Sequence, residues 1–251
     1  MEPVELTFSA EIGFLAPLAH HIQFDSGGTR LDYVKDGGQD NLFPVARAEV
    51  GMDLKRHHVQ LVFQPLQLRS RTVLDFDLTE NETTFVAGTP IDLLYGFSFW
   101  RAGWQYDLAK SETFDVAIGL SMQIRNADIE FTSADGEQRV VERNIGPVPL
   151  LSARVRQDRK SWWWLWEAEG AYAPVSYLNG DNNEVVGSLI DTSLRAGVSD
   201  VRGFRPFVNV RFLAGGAKGF DEKFDGPGDG YTDNFLYFGT LSIGAELPSR
   251  P

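Results

Sequence analysis

The sequence contains no cysteine, only four histidines and no long apolar run. The absence of cysteine excludes a disulfide-stabilised scaffold, a zinc–thiolate site and an iron–sulfur protein. No segment approaches the roughly 20 consecutive apolar residues that a membrane-spanning helix requires, which excludes a helical membrane protein. Lysine and arginine number 23 against 35 aspartates and glutamates, a formal charge of −12. Because nucleic-acid binding requires a basic surface, we predict no nucleic-acid partner.

Strand-like alternation of apolar and polar residues is the feature that the sequence has in abundance. It is regular in Phe114–Arg125 and Val186–Val198, among other segments. A period of two indicates strands with one apolar face and one polar face. The 25 glycines and 12 prolines are typical of a folded chain with many turns.

Interruptions of this alternation divide the chain into ten predicted strands. They cover residues 4–14, 43–55, 59–78, 91–107, 112–131, 139–156, 161–174, 185–199, 205–215 and 233–247. An even number is typical of an up-and-down barrel. A further hairpin around residues 29–35 would raise the count to twelve, and the pattern allows eight to twelve strands. We interpret the whole chain, 1–251, as a single β-barrel domain.

The connections between these strands alternate between short and mostly longer segments. The short ones are 56–58, 107–111, 157–160 and 200–204, and the others are 15–42, 79–90, 132–138, 175–184 and 216–232. Short turns at one end and long loops at the other are typical of a transmembrane barrel.

Strand length also favours a membrane location over a soluble sandwich. The predicted strands exceed the roughly 9–11 residues that cross a hydrocarbon layer, whereas strands of soluble sheets have about 5 or 6 residues. We therefore predict an all-β, up-and-down antiparallel transmembrane barrel in a Gram-negative outer membrane, with both termini periplasmic. The start, Met1-Glu2-Pro3, shows no leader pattern, so we expect an export signal to have been removed or never to have existed.

The polar faces of the predicted strands carry charges of both signs, which suit a narrow lumen. The predicted lumen network consists of Arg47, Glu49, Asp53, Arg101, Arg125, Arg154, Glu167, Glu169, Asp191 and Arg195. If these charges pair, they fill the lumen and make the barrel rigid; if they are unevenly distributed, they leave a thin polar channel. The filled lumen is favoured because unpaired buried charge is unfavourable.

Tryptophan and tyrosine cluster beside two of the predicted short turns. The predicted girdle at this end of the barrel consists of Trp100, Trp104, Tyr106, Trp162, Trp164 and Trp166. Such residues collect at the headgroup level of membrane barrels. The alternative is an aromatic core cluster of a soluble protein. In the girdle interpretation, Trp163 faces the lumen because neighbouring strand residues point to opposite faces.

Three segments carry a resemblance to a known family. They are Tyr95–Phe131, with its FWRAGWQY run at 99–106, the GPVPLL run at 146–151, and the closing segment 235–247. These segments resemble a family of uncharacterised outer-membrane β-barrel proteins of Gram-negative bacteria. The likeness extends over roughly residues 90–247 and contains no catalytic signature. The chain departs from the common outer-membrane ending, because Leu247 is followed by Pro-Ser-Arg-Pro instead of a final aromatic residue.

The histidines are the remaining candidates for chemistry. His20 and His21 lie in the predicted first loop, and His57 and His58 in a predicted periplasmic turn. Adjacent strand residues point to opposite faces, so neither pair chelates a metal unaided. We predict no metal site and no cofactor.

Two classes of function follow. The first is a non-enzymatic membrane protein, either a narrow channel for small solutes or a structural barrel whose loops bind a protein partner. The alternative is an outer-membrane hydrolase that acts on lipid A or peptide at the loop end, with His20 and His21 as its candidates. The expected partners are outer-membrane lipids, including lipopolysaccharide.

Overall fold

The computed structural model of the protein describes residues 4–173, 184–199, 201–221, 226 and 228–248. They form the strands β1 (Glu5–Phe24), β2 (Leu31–Asp32), β3 (Phe43–Leu54), β4 (His57–Gln64), β5 (Gln67–Val73), β6 (Leu78–Glu80), β7 (Thr83–Phe85), β8 (Pro90–Lys110), β9 (Phe114–Ser133), β10 (Arg139–Asp158), β11 (Trp162–Ala173), β12 (Val186–Val198), β13 (Arg205–Phe220) and β14 (Tyr231–Pro248). Within these residues no helix has the length and apolar character needed to cross a membrane.

The strands close into one antiparallel barrel with ten positions around its wall, and we call the strand or strands at each position a stave. Each stave pairs with the next along the chain, and β14 pairs back with β1 from Thr7↔Pro248 to Phe24↔Thr232. β4 and β5 lie end to end along β8 and together form one stave. The predicted all-β, up-and-down transmembrane barrel of about ten strands is confirmed.

Several predicted boundaries are wrong. The hairpin expected around residues 29–35 adds no stave, since only Leu31 and Asp32 pair, and they pair with β1. The predicted strand 59–78 is interrupted after Gln64, and Leu78 belongs to the short β6–β7 hairpin in the next loop. β1 continues beyond residue 14 to Phe24. The alternation stops there because residues 14–19 are all apolar, and the strand contains an irregularity between Pro17 and Ala19.

The two ends of the barrel differ in their connections. At the turn end, residues 55–56, 111–113, 159–161 and 199–204 join the staves, and Glu5 and Pro248 lie at the same end. At the loop end, the described connections 25–42 and 74–89 are long, whereas 134–138 is short.

The outer face of the barrel is apolar over a broad band. Ile12, Leu120 and Ile243 are 65%, 58% and 63% exposed, respectively. On β9 the band extends from Phe114 to Ile124, about 33 Å along the strand and about 25 Å once the usual tilt is included. That height matches the hydrocarbon layer crossed by transmembrane barrels.

Polarity inverts along β8 and β9 on the loop side of this band. The inward positions Tyr95, Phe97 and Phe99 are apolar and buried, whereas Arg101, next on the same face, begins a polar interior. The outer wall changes in the opposite sense, and at this level it carries exposed Arg–Asp pairs such as Arg71–Asp92. The staves therefore extend beyond the apolar band, with an aromatic interior at the loop end.

Candidate functional site: the lumen and the loop end

A cluster of two arginines and two carboxylates spans the lumen at the level where its polarity changes. Arg211 on β13 binds Asp191 with two hydrogen bonds, of 2.6 and 2.7 Å. Arg101 on β8 reaches across the lumen to Asp191, at 2.9 Å, and to Glu169. Glu169 and Asp191 are paired across β11 and β12, so their repulsion is offset by Arg101.

Neutral side chains complete this cluster. Gln123 accepts a 3.1 Å hydrogen bond from Nε of Arg101, Gln64 accepts one from Arg211, and Ser121 donates a 2.7 Å hydrogen bond to Glu169. Nearly every charged group here therefore has hydrogen-bonded partners from both sides of the barrel. Such satisfaction is what makes burial of an ion-pair cluster tolerable.

A second cluster fills the lumen nearer the turn end. Arg195 lies 2.8 Å from Glu49 and 3.4 Å from Glu167. Arg47 lies 3.3 Å from Glu49 and 3.8 Å from Glu11. The two arginines thus form ion pairs with three carboxylates, and all five residues face inward.

The turn end is closed by a stacked group around Trp163. Arg156 and Arg205 each lie with Cζ 4.9 Å from the Trp163 ring centroid. Arg156 binds Glu246 through two hydrogen bonds of 2.9 and 3.0 Å, and both arginines bind Asp158. Fully buried Trp163 occupies the lumen side, and its two cationic neighbours hold it in place.

The remaining predicted lumen charges also point inward but pair elsewhere. Arg154 lies 3.4 Å from Asp115, and Asp53 lies 2.9 Å from His58. Cζ of Arg125 lies 5.9 Å from the Phe97 ring centroid, at the edge of the aromatic interior. The prediction thus named most of the first two clusters. It omitted Arg211, Glu11, Arg156, Arg205 and the glutamines. The available signal was that these residues lie an even number of positions from other inward residues of their strands.

A small cavity lies beside the first cluster. A cavity of about 10 Å³ lies among Glu11, Arg47, Gln64, Arg211 and neighbouring small residues. A cavity of this size holds one water molecule at most.

The loop end contains an aromatic cage around His20. The imidazole stacks on Tyr33 at 4.4 Å between ring centroids and meets the edges of Tyr95 and Phe238 at 4.3 and 5.6 Å. Its Nδ1 lies 2.7 Å from Oε1 of Gln39. His20 is 1% exposed. The irregularity after Pro17 turns it inward, so it belongs to β1 and not to the predicted loop.

Two loops close the mouth of the barrel above this cage, and we call them the cap: residues 25–42 and 74–89. The first is held to the wall by the Tyr33 amide, which donates 2.8 Å to the His20 carbonyl. The second is held by Asn81, which donates 2.6 Å to Glu142 on β10. The Thr29 amide joins the two loops by donating 2.7 Å to the Thr79 carbonyl.

The cap buries polar groups as well as apolar ones. Its Leu31, Leu78 and Phe85 are fully enclosed, and so is Glu80, whose Oε2 accepts a 3.2 Å hydrogen bond from the Phe24 amide. Glu80 Oε1 has no hydrogen-bond partner. Burial, opposed by that amide and reinforced by the charge of Asp25, raises the pKa of Glu80 to about 9. The closed cap therefore holds this carboxyl in its neutral form at neutral pH.

Outside the wall, a chain of polar contacts lies at the loop-side edge of the apolar band. Arg30 Nη2 lies 2.8 Å from His21 Nε2, which lies 3.3 Å from Asp233 Oδ1. Lys218 Nζ lies 2.9 Å from Asp233 Oδ2. We call these four residues the rim cluster. The two adjacent histidines thus occupy different environments, one inside the wall and one outside.

The other two histidines also differ from their prediction. Both belong to β4 and not to a turn, which consists of residues 55–56. His58 faces inward and bonds Asp53, whereas His57 faces outward and accepts a 3.2 Å hydrogen bond from Trp104 Nε1. In the described part of the chain no group of three metal-ligating residues is arranged to hold an ion.

The six predicted girdle aromatics point outward but lie at different heights. Tyr106 and Trp104 on β8 and Trp162 and Trp164 on β11 are near the turn end. Trp100 lies six residues from Tyr106, about 20 Å along the strand, and Trp166 is also displaced toward the loop end. A girdle at the turn end stays a prediction for the first four.

The fold has solved neighbours, although no protein-family profile and no curated protein matches this sequence. The chain is similar to the outer-membrane protease OmpT of Escherichia coli, with a TM-score of 0.60 and 7% identity over 98% of this chain and 97% of that one. It is also similar to the transport unit of the Escherichia coli autotransporter AIDA-I, with a TM-score of 0.45 and 8% identity over 98% and 90%. A Pseudomonas aeruginosa FadL homologue gives a TM-score of 0.39 and 8% identity over 97% and 89%. At these identities the likeness to OmpT shows the fold.

Proposed function

We propose that this chain is a Gram-negative outer-membrane protein whose barrel is sealed and which acts through its loop end and outer wall. The outer-membrane location is supported by the exposed apolar band and by the fold shared with OmpT. Of the two non-enzymatic roles, the structural barrel with a binding surface is favoured over a solute channel.

One observation carries this preference. Arg101 extends across the lumen to Asp191, which Arg211 binds from the neighbouring strand, and an adjacent cavity measures only about 10 Å³. A hydrated ion needs a continuous water-filled path, and side chains that bridge the lumen in this way support a barrel without one. Opening it would separate buried charges from their partners, at a cost of about 3–5 kcal/mol for each broken pair.

Planar-bilayer conductance of the purified protein tests the proposal. Wild-type protein is expected to show no steady openings. A variant with residues 76–87 replaced by a short Gly-Ser turn opens only the cap and is expected to stay silent, because the charge clusters still block the lumen. Current is expected only when the two charge clusters and the turn-end group are removed as well, by adding Arg101→Ala, Arg211→Ala, Arg47→Ala, Arg195→Ala and Trp163→Ala to that variant. Heat-modifiability in SDS gels checks that each variant is folded, and regular single-channel openings of the wild type contradict the proposal.

A hydrolase at the loop end is the second candidate, and the His21–Asp233 contact of 3.3 Å favours it. An imidazole beside a carboxylate is the arrangement that a general base requires, and OmpT, the neighbour of similar fold, is a protease. His20 lacks this access, because its aromatic cage encloses it.

Peptide and lipid A cleavage assays with His21→Gln decide this candidate. His57→Gln, on the outer wall at the opposite end, is the matched control. Loss of turnover in the first variant alone supports a hydrolase, whereas an inactive wild type or equal turnover in all three proteins removes it.

A further inference from the structure

The rim cluster lies at the boundary where a lipid layer would change from hydrocarbon to headgroups. The His21 ring stacks on Phe235 at 5.7 Å between centroids. Phe235 and Tyr237 are outward residues of β14, and Tyr237 stacks on Phe212 of β13 at 6.1 Å. These aromatic rings belong to the apolar band. The nitrogen atoms of the rim cluster therefore lie directly on the loop side of that band.

The cluster has more positive than negative charge. Arg30 and Lys218 are cations, Asp233 is the one carboxylate, and a neutral His21 still leaves a net charge of +1. Among the described residues Arg30 forms no ion pair, and its guanidinium contacts the His21 ring. Lys218 pairs with Asp233 but is 66% exposed, so its ammonium group is accessible to a ligand.

Two other arginines on the outer wall are matched by carboxylates, whereas exposed Arg69 on β5 has no ion pair among the described residues. Arg71 pairs with Asp92 at 2.6 Å, and Arg143 lies 3.1 Å from Asp128 and 3.5 Å from Glu130. The rim cluster thus combines an excess of cations with neighbouring aromatic rings, in a chain whose formal charge is −12. A local cation excess attracts an anion that can reach it.

We propose that the rim cluster binds the phosphate group of an outer-leaflet glycolipid whose acyl chains lie along the aromatic rings below. Arg30 and Lys218 would donate hydrogen bonds to the phosphate oxygens, because guanidinium and ammonium groups both suit phosphate. The apolar rings favour a lipid phosphate over a free ion. This inference rests on the proposed outer-membrane location and adds a ligand class to it.

Binding of bisphosphorylated lipid A to the purified protein tests the inference, with the adduct measured by native mass spectrometry in a non-ionic detergent. Removing the phosphates enzymatically from the same lipid is expected to weaken its binding. Arg30→Gln with Lys218→Gln is expected to weaken binding of the phosphorylated lipid about 25-fold, about fivefold for each cation near an anionic lipid surface. Lys55→Gln with Lys160→Gln removes the same charge at the turn end and is expected to leave affinity unchanged.

Three outcomes would overturn the inference. Equal binding of phosphorylated and dephosphorylated lipid A excludes phosphate recognition. Equal affinity of the wild type and the Arg30→Gln, Lys218→Gln variant for phosphorylated lipid A excludes the rim cluster as its site. Competition by millimolar inorganic phosphate, with no preference for the lipid, shows a site for the free anion. Each result is obtained with a protein whose folding is checked by the SDS gel shift, so a failure here leaves the sealed-barrel proposal standing.

Discussion

The buried carboxyl of Glu80 makes the stability of the cap depend on pH. In the closed cap its pKa is raised from 4.5 to about 9, so the closed state binds a proton that the open, solvated state releases above pH 4.5. The stabilising contribution is therefore complete below pH 4.5 and is lost as the pH rises toward 9. Asp25 and Glu142 are the neighbouring carboxyls, and Tyr33 is the titratable ring that faces Glu80 within the cap.

The magnitude follows from the size of the shift. Each pH unit between the two pKa values lowers the free energy of cap opening by up to about 1.4 kcal/mol. From pH 7 to pH 8.5 the loss is up to about 2 kcal/mol. Glu80→Gln keeps an acceptor for the Phe24 amide and carries no proton to lose. We expect the variant to have the more stable cap at pH 8.5 and a nearly flat dependence on pH.

Native-state hydrogen exchange measures this effect at the cap amides. The amides of Thr29, Tyr33 and Gln39 are suitable because each is hydrogen bonded only while its loop is in place. Glu82→Gln removes an exposed carboxyl from the same hairpin, and its free energy of cap opening is expected to depend on pH as steeply as that of the wild type. Parallel slopes for wild type and Glu80→Gln would refute the reasoning, because they would show that Glu80 is charged in the closed cap.

Two further predictions concern the barrel itself. Arg101→Met is expected to lower the free energy of unfolding in urea by about 3–5 kcal/mol, since it leaves buried carboxylates without a cation. Arg71→Met, which breaks an exposed pair, should lower it by less than about 1 kcal/mol, and similar losses in both variants would contradict the buried network. Gly119→Ala places a Cβ against the Trp104 carbonyl oxygen, well inside van der Waals contact, and should lower the free energy of unfolding by about 1–3 kcal/mol. Gly27→Ala has open space and should be neutral, so an equally tolerated Gly119→Ala would contradict the close strand pairing there.

The barrel was predictable because its strands obey a local rule. Alternation such as Ile118, Leu120 and Met122 against Ala117 and Ser121 is visible in any window of the sequence, and it fixes the face of each residue without knowledge of its partners. The same rule failed where one extra residue in a strand exchanges the inward and outward positions that follow it. The irregularity between Pro17 and Ala19 places His20 inside the wall, and a shift of one residue reverses every later side chain.

The aromatic interior and the cap required information that is not local. Inward residues of β8 change from Phe97 and Phe99 to Arg101 with no break in alternation, so a single polar lumen was the simpler interpretation. The available signal was that Phe97 and Phe99 lie an even number of residues from Arg101 and therefore share its inward face. The position of the cap depends on contacts between distant segments, such as Thr29 with Thr79 and Asn81 with Glu142, which no pattern within either loop specifies.

Membrane depth of outward residues on β9 tests the central claim most directly. Because the chain has no cysteine, spin labels can be attached singly at Phe114, Ile118, Leu120, Ile124 and Asp128 after substitution with cysteine. The account predicts that accessibility to oxygen relative to a water-soluble nickel complex is highest at Leu120, lower at Phe114 and Ile124, and lowest at Asp128. Equal access of the nickel complex to all five positions would show that this face meets water, and the membrane barrel would be contradicted.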